Sequence, residues 1–215
     1  MNQTKNLAAL FDFDGVVVDT EPQYTVFWDE QGLKYLSKVD FGRSIKGQTL
    51  TQIFDRYFTG MSEVHKQIIK DLNEYEKQMD YRFIPGVVEF MKTLRYNNIR
   101  IAIVTSSNDQ KMANVYREHP ELTTLVDCIL TADKFTESKP HPECFLLGAK
   151  LFNTEVNNCV VFEDSFHGLE AARRAGMKIV GLCTTNSREA IQDKAHVVIS
   201  DFSTFTINDF NLLIQ

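Results

Sequence analysis

Residues 10–20 read LFDFDGVVVDT and place two aspartates, Asp12 and Asp14, at the end of an apolar run, with Gly15 directly after them. Acidic side chains are poor strand formers and costly to bury, so this position requires a compensating cation. Residues two apart in an extended chain face the same side, so the two carboxylates converge on one small volume. A cation can hold one of them ionised as a nucleophile while its neighbour carries a proton. A pair of turn or capping aspartates before a glycine would give the same letters.

Outside this stretch, short apolar runs alternate with helical patterns along most of the chain. Continuous apolar runs indicate strands that are covered on both faces. The predicted strands are residues 7–13, 99–105, 128–130, 158–164, 178–184 and 196–200. The helical patterns between them are residues 107–119, 142–152 and 165–176. Because strands and helices alternate, we predict an α/β fold with a doubly wound, mostly parallel sheet.

Residues 20–84 show helical patterns without a strand signal, including a polar-rich helix expected from Ser62 to Asp80. We therefore expect an all-helical insert after the first strand, and Pro85 and Gly86 mark its return to the sheet. Such an insert can close as a cap over a site at the strand ends, where open α/β sheets bind ligands. The predicted division is residues 1–17 and 86–215 for the core domain and residues 18–85 for the helical cap domain.

The composition of the 215-residue chain is that of an ordinary globular protein, with 43% hydrophobic and 24% charged residues. Its net charge of -6 offers no broad basic surface, so a nucleic-acid partner is not expected. We expect no membrane association, because no apolar stretch has the length of a membrane span. The N-terminus MNQTKN lacks a signal-peptide pattern, so we expect a cytoplasmic protein and, in addition, a monomer. Four widely spaced cysteines without a CxxC pair predict neither a zinc site nor a disulfide framework.

Polar side chains also end three other predicted strands or precede the helices that follow them. Thr105 and Ser106 close one strand and could bind phosphate at a helix N-terminus, or serve as ordinary helix caps. Lys139 stands before a proline and could pair with a carboxylate and a phosphate together, or be a solvated loop lysine. Glu163 and Asp164 end a buried strand and could complete a Mg²⁺ site with the first aspartate, or mark a helix start.

In combination, these segments resemble the four ordered motifs of the haloacid dehalogenase superfamily. The first motif is D-x-D-G-x-x-x-D-[ST] at residues 12–20, followed by the hydroxyl of Thr105, S-K-P around Lys139 and E-D-S at residues 163–165. The stretch GLEAARRAGM at residues 168–177 is similar to the subgroup that contains β-phosphoglucomutase and many small sugar-phosphate phosphatases. Members of that subgroup carry a helical cap after the first motif, where the helical insert is predicted here.

The resemblance implies catalysis through an aspartyl-phosphate. Asp12 would be the nucleophile and a magnesium ligand. Asp14 would be the general acid and base and would lend its backbone carbonyl to the metal. Lys139 would bridge Asp12 and the transferring phosphoryl group. Positioning and charge neutralisation of this kind are what phosphoryl transfer requires.

The remaining matched residues complete the site that the resemblance implies. Thr105 and the N–H group of Ser106 would hold the phosphoryl group. Asp164 would be a further protein ligand of the magnesium cofactor, with Glu163 as a ligand or as the partner of a ligand. The expected substrate is therefore a small-molecule phosphate ester.

The predicted cap departs from β-phosphoglucomutase at two positions. Tyr24 stands where a histidine is typical, and Leu50, in the segment KGQTL, stands where an arginine would bind the distal phosphate. Arg43 or Lys46 could substitute for that arginine. We therefore predict a Mg²⁺-dependent phosphatase of small phosphorylated metabolites such as sugar phosphates, with β-phosphoglucomutase as the alternative. The cap residues expected to set specificity are Tyr24, Gln48 and Thr49.

Three other protein classes would explain fewer of these sequence features. A phospho-receiver module has its phosphorylated aspartate on a middle strand and carries no long helical insert. A 2-haloacid dehalogenase needs no magnesium, which would leave Asp14 and the pair at residues 163–164 unexplained. A non-catalytic sugar-phosphate sensor would have little reason to keep every catalytic group.

Overall fold

The computed structural model of the chain describes residues 6–46 and 48–215. Its strands are β1 (Ala8–Phe11), β2 (Arg100–Val104), β3 (Cys128–Leu130), β4 (Cys159–Glu163), β5 (Lys178–Leu182) and β6 (Val197–Ile199). Its longer helices are α1 (Glu21–Leu36), α3 (Leu50–Tyr57), α4 (Ser62–Glu76), α5 (Val87–Tyr96), α6 (Asp109–Glu118), α8 (Glu143–Leu151), α9 (Phe166–Arg174) and α11 (Ile207–Ile214). The single-turn helices are α2 (Phe41–Ser44), α7 (Leu122–Leu125) and α10 (Arg188–Ile191).

The strands form one sheet in the order β3-β2-β1-β4-β5-β6, and each neighbouring pair is parallel. Alternate residues of β1 face opposite sides of the sheet, and helices cover both of these faces. Ala9 and Phe11 belong to the apolar cluster that contains α5 and α11, whereas Ala8 and Leu10 belong to the cluster that contains α8 and α9. The predicted α/β fold with a doubly wound parallel sheet is confirmed.

The position of β1 in this order determines where a ligand site can form. The chain proceeds from β1 to one side through β2 and β3, and to the other side through β4, β5 and β6. The strand order therefore reverses at β1, and open α/β sheets bind ligands at the carboxyl ends of strands next to such a reversal. The carboxyl end of β1 is directly followed by Asp12, and β4 ends at Glu163.

A cluster of phenylalanines holds β1 and β4 together below that edge. The rings of Phe11 and Phe162 stack with centroids 4.4 Å apart and an interplanar angle of 8°. Phe90 of α5 packs edge-on against both rings, and Phe202 lies within 6 Å of each. Burying each phenylalanine side chain stabilises the fold by about 1.5–3 kcal/mol, so this cluster stabilises the register of β1 against β4.

Helices α1 to α4 pack around an apolar cluster of their own. Phe27, Trp28, Phe41 and Phe58 are among its buried members. The described residues between β1 and α5 include no strand of the sheet, as predicted for a helical insert. Helix α4 ends at Glu76, four residues before the expected end, and its last carbonyl accepts a hydrogen bond of 2.6 Å from a tyrosine hydroxyl five residues further on.

The two segments that connect this helical insert to the sheet run beside each other. Val18 and Phe83 form an antiparallel bridge. The N–H of Asp19 donates to the carbonyl of Arg82 over 2.8 Å, and the N–H of Ile84 donates to the carbonyl at position 17 over 2.9 Å. The exact division into core and cap at residues 17/18 and 85/86 stays a prediction, and these paired links lie next to it. In the part of the chain that the structure describes, no helix is long and apolar enough to cross a bilayer.

Candidate active site

Asp12 is compensated by a buried lysine at the end of β1. The Nζ atom of Lys139 lies 2.6 Å from Oδ1 of Asp12 and 2.7 Å from Oε1 of Glu163. It also donates to the carbonyl of Val104 at the end of β2, over 3.2 Å. Burial lowers the pKa of Lys139, but the two carboxylates outweigh burial and raise that pKa above its ordinary value. Lys139 therefore ties together the ends of β1, β2 and β4 as a charged group.

Three carboxyl groups meet at this edge of the sheet. Asp12, Glu163 and Asp164 each bring one carboxylate oxygen within 4.8 Å of the others. Burial raises the pKa of Asp12 to about 7, against the opposing effect of Lys139. Burial, followed by the charge of Glu163, also raises the pKa of Asp164 well above its ordinary value. One lysine is thus not enough to neutralise the group, and a set of hard oxygen donors with excess negative charge fits a magnesium ion.

Glu163 is the most enclosed of the three carboxyl groups, and protein donors engage both of its oxygens. Oε1 accepts from Lys139, while Oε2 accepts from the N–H groups of Asp164 and Ser165, both at 2.9 Å. A Cβ atom on Gly168 in α9 would lie 1.7 Å from Oε1, so glycine is required for the helix to pass this close. Of the two roles that the sequence left open for Glu163, these contacts favour the partner that holds Lys139 and the following loop in place.

Asp164 lies against the loop that carries the two aspartates of the first motif. Gly15 has a φ of +78°, and a Cβ atom there would lie 2.2 Å from Oδ2 of Asp164. The hydroxyl of Thr184 donates to the carbonyl of Gly15 over 2.6 Å, and the side-chain amide of Asn186 donates to the carbonyl of Asp164 over 2.8 Å. Thr184 and Asn186 follow β5 and were not predicted as site residues, since nothing in their sequence context distinguishes them from loop residues.

Asp14 has a different environment from Asp12, although only two residues separate them. Its carboxylate lies outside the three-carboxylate group and contacts Lys111 of α6, whose Nζ is 2.5 Å from each of its oxygens. The hydroxyls of Thr20 and Ser107 also donate to it. Burial raises the pKa of Asp14, but Lys111 and these hydroxyls outweigh burial, so the net pKa is lower than its ordinary value. The environments of Asp12 and Asp14 therefore push their two pKa values apart.

Lys111 is a further site residue that the sequence analysis missed. Its side chain is only 3% exposed, on the face of α6 that also buries Met112 and Val115. Its ammonium lies 4.7 Å from the ring centroid of Tyr24 in α1 and 5.6 Å from that of Phe13. A lysine on the apolar face of an amphipathic helix was the available signal, because lysine is rarely buried without a partner.

The two predicted phosphate-binding residues face the same cavity as the carboxylates. Thr105 follows β2 directly and is buried, and its Oγ1 accepts a hydrogen bond of 3.0 Å from the N–H of Ser107. Thr105 and Ser106 line the cavity together with Asp12. Helix α6 begins just beyond, with the side chain of Asn108 capping its first turn. The positive end of a helix macrodipole therefore lies near the position expected for the phosphoryl group.

The cavity lies between the strand ends and the helical insert and has a volume of about 220 Å³. The three predicted cap residues, Tyr24, Gln48 and Thr49, line it. Tyr24 donates to the carboxylate of Glu76 over 2.8 Å. Thr49 caps α3 together with Gln52, and the side-chain amide of Gln52 donates to the carbonyl of Lys139 over 3.2 Å. The insert thus contacts the loop that carries Lys139 and lines the cavity that the carboxylates also line.

Comparisons with known proteins agree with this geometry. Residues 9–182 match the family model described as haloacid dehalogenase-like hydrolase. The chain is 29% identical over 212 residues to the validoxylamine A 7'-phosphate phosphatase of Streptomyces hygroscopicus, covering 91% of this chain and 93% of that protein. It is 29% identical over 185 residues to the phosphorylated carbohydrates phosphatase of Thermotoga maritima, covering 80% and 82%. It also matches the chloroplastic SUPPRESSOR OF QUENCHING 1 of Arabidopsis thaliana at 26% identity, but spans only 20% of that longer protein.

Solved structures give the same result for the fold. The crystal structure of β-phosphoglucomutase from Clostridium difficile superposes with a TM-score of 0.81 and 26% identity, covering 97% of both chains. A hydrolase of family IA from Entamoeba histolytica superposes with a TM-score of 0.83 at 23% identity, covering 97% of this chain and 99% of that one. Family model, relatives and solved structures therefore agree, and the chain belongs to the haloacid dehalogenase-like hydrolase family.

Proposed function

We propose that the protein is a Mg²⁺-dependent phosphatase that hydrolyses small phosphorylated metabolites, sugar phosphates among them, through an aspartyl-phosphate on Asp12. One observation carries this proposal: Asp12, Thr105 and Asp14 line the same cavity. Lys139 contacts Asp12 there, whereas Asp14 has a separate charge environment. The names of the two phosphatase relatives support the same class of reaction. Burial raises the pKa of Asp12, whereas Lys111 lowers that of Asp14, which is the reverse of the expected ionised nucleophile and protonated neighbour. Asp12 would therefore need a bound cation to act as an ionised nucleophile.

In the first half-reaction, a carboxylate oxygen of Asp12 attacks phosphorus and the bond from phosphorus to the alcohol oxygen breaks. Asp14 donates a proton to that oxygen, so the product leaves as a neutral alcohol. Lys139 and the hydroxyl of Thr105 bind the oxygens of the phosphoryl group, where negative charge spreads in the transition state. Burial of the site excludes bulk water and strengthens these electrostatic contacts.

In the second half-reaction, water attacks phosphorus and the bond from phosphorus to Asp12 breaks, which releases inorganic phosphate. Asp14 accepts the proton of that water and returns it to the leaving alcohol of the next turnover. The pairing with Lys111 lowers the pKa of Asp14, so its ionised form is available to accept this proton and its protonated form is a stronger acid toward the leaving alcohol.

The carboxyl groups of Asp12 and Asp164, with the backbone carbonyl of Asp14 that the resemblance implies, would hold magnesium. When bound, a magnesium ion supplies charge neutralisation for the phosphoryl oxygens. Lys139 and Glu163 keep the aspartates in place through contacts of 2.6 and 2.7 Å at the Lys139 ammonium.

The proposal is tested by phosphate release from hexose, pentose and triose monophosphates with and without magnesium. We expect release with magnesium, and its loss on adding a chelator or in the Asp12→Asn variant. The matched control is Asp55→Asn, which changes an exposed aspartate of α3 and should leave the rate unchanged. Phosphate release that persists in Asp12→Asn would contradict the mechanism.

β-Phosphoglucomutase is the second candidate, because the Clostridium difficile enzyme shares the fold over 97% of the chain. The two residues considered as substitutes for the missing arginine do not supply a free cation. Lys46 is paired with Glu21, and Arg43 is exposed and does not line the cavity. Leu50 lines the cavity at the position of the arginine itself. A coupled assay that converts β-glucose 1-phosphate to glucose 6-phosphate faster than phosphate is released would favour the mutase.

A further inference from the structure

Each lysine that lines the cavity is already paired with carboxylates. Lys139 contacts Asp12 and Glu163, and Lys111 lies 2.5 Å from both oxygens of Asp14. The remaining lysine, on the helical insert, forms an ion pair with Glu21 and also donates to that residue's carbonyl. Among the described residues that line the cavity, none is an arginine. The cavity therefore offers no unpaired cation to a second anionic group on a substrate.

The overall charge of the lining works against a second anion as well. Among the residues that the structure describes, six carboxyl groups line the cavity, against three lysines. They are Asp12, Asp14, Glu21, Glu76, Glu163 and Asp164. A bound divalent cation and the reacting phosphoryl group would roughly cancel each other, which leaves acidic groups in excess. A second phosphate carries about -1.5 to -2 charges at neutral pH, so it would be repelled rather than bound.

Six apolar side chains of the helical insert line the cavity: Trp28, Ile45, Leu50, Ile53, Ile69 and Leu72. The polar residues Thr25, Gln48, Thr49 and Asn73 of the insert line it as well. The indole of Trp28 is held in place by edge-to-face contacts with Phe27 and Phe41, at centroid distances of 5.4 and 6.3 Å. Ile69 is 40% exposed and lies at the rim of the cavity. An indole held in place beside aliphatic side chains offers a flat apolar surface to the ring of a substrate.

From these observations we infer that the cavity selects phosphate monoesters of alcohols that carry an aromatic or aliphatic ring, and that it rejects bisphosphates. The inference rests on the proposed phosphatase function and narrows its substrate class. The reacting phosphate occupies the strand-end half of the cavity, while the ring of the alcohol packs against Trp28 and its aliphatic neighbours. An alcohol with an apolar ring buries more apolar area against these side chains than a hydroxyl-rich alcohol of similar size.

The first arm of the test compares two pairs of phosphate esters. Benzyl phosphate and glycerol 1-phosphate have alcohol leaving groups of similar acidity but different apolar area. We expect kcat/KM to be at least about tenfold higher for benzyl phosphate, the usual size of discrimination by an apolar pocket. β-Glucose 1-phosphate and β-glucose 1,6-bisphosphate differ only in the second phosphate, and we expect at least about tenfold lower kcat/KM for the bisphosphate. Equal values within either pair would overturn the inference.

The second arm changes the cavity wall. Leu50→Arg places a cation among the apolar side chains that line the cavity, whereas Leu50→Gln is a matched polar change without charge. We expect kcat/KM for β-glucose 1,6-bisphosphate to rise in Leu50→Arg relative to Leu50→Gln. We expect Ile69→Asn to reduce the preference for benzyl phosphate, while Leu212→Asn, a change at an exposed residue of α11 that does not line the cavity, leaves that preference unchanged. Wild-type preference in Ile69→Asn would count against the apolar wall.

The third arm separates this inference from the proposed function. Benzylphosphonate and 2-hydroxyethylphosphonate cannot be hydrolysed, so their binding in the presence of magnesium can be measured by calorimetry whether or not catalysis occurs. At least about tenfold tighter binding of benzylphosphonate supports the inference, and equal binding overturns it even if no ester is hydrolysed. Conversely, if Asp12→Asn abolishes hydrolysis while bisphosphates react as fast as monophosphates, the proposed function stands and the inference fails.

Discussion

Replacing Lys111 by methionine tests the buried pair that the sequence did not reveal. The substitution keeps the length and apolar stem of the side chain but removes the ammonium that lies 2.5 Å from both oxygens of Asp14. Because the two side chains are only 3% and 16% exposed, solvent cannot replace the lost contact fully. The variant therefore leaves a buried carboxylate without its cation.

The structure sets the size of the expected effect. Removing one partner of a buried ion pair costs about 3–5 kcal/mol. The hydroxyls of Thr20 and Ser107 still donate to Asp14, so we expect the lower limit, about 3 kcal/mol at neutral pH. In an Asp14→Asn background the ammonium is already buried without its anion, so Lys111→Met removes an unpaired charge while losing the cation–π contacts with two aromatic rings. We therefore expect it to cost at most about 1 kcal/mol there.

The assay is urea unfolding of the wild type, both single variants and the double variant at pH 7, with Lys66→Met as an exposed control. Equal costs of Lys111→Met in both backgrounds would refute the reasoning, because the pair would then contribute no coupling. The pH dependence gives a second check. The pKa of Asp14 is lowered in the wild type from 3.8, so its contribution is present above that pH and lost below the lowered value. In the variant, burial raises this pKa instead, so the stability gap between the two proteins should narrow from pH 7 to pH 4.

Three further predictions concern the core and the helical insert. Gly168→Ala places a Cβ atom 1.7 Å from Oε1 of Glu163. We expect it to lower the free energy of unfolding by about 1–3 kcal/mol and to lower phosphatase activity at least about tenfold. Wild-type activity would mean that the position of Glu163 does not matter for catalysis. Burial raises the pKa of Glu76 from 4.5, so the folded state binds this proton more tightly and the free energy of unfolding falls as the pH rises above 4.5. Unfolding measured at pH 5 and pH 8 should show a smaller fall in Glu76→Gln, whose amide oxygen can still accept from Tyr24. Phe162→Ala removes the ring stacked on β1 and should cost about 3–5 kcal/mol in chemical denaturation, and a cost below 1 kcal/mol would contradict the described packing.

Most of the sheet could be predicted from local sequence because its strands are buried on both faces. The segments predicted as strands at residues 99–105, 128–130 and 158–164 contain β2, β3 and β4. Helix α5 was not predicted, although its buried residues Val87, Phe90, Met91 and Leu94 have helical spacing. The sequence therefore contained the pattern of this helix, and the helix could have been predicted from it.

The sequence by itself determined which residues gather at the strand ends. Parallel strands bring their carboxyl ends to one edge, so Asp12, Thr105 and Glu163 had to meet once the strands were identified. Only the tertiary structure decided how the charges are paired. Lys111 reaches Asp14 across 97 positions of the chain, and Lys46 is matched with Glu21 across 25. Such pairs depend on how helices are rotated and docked against the sheet, so local spacing could mark Lys111 as a buried lysine but could not identify its partner.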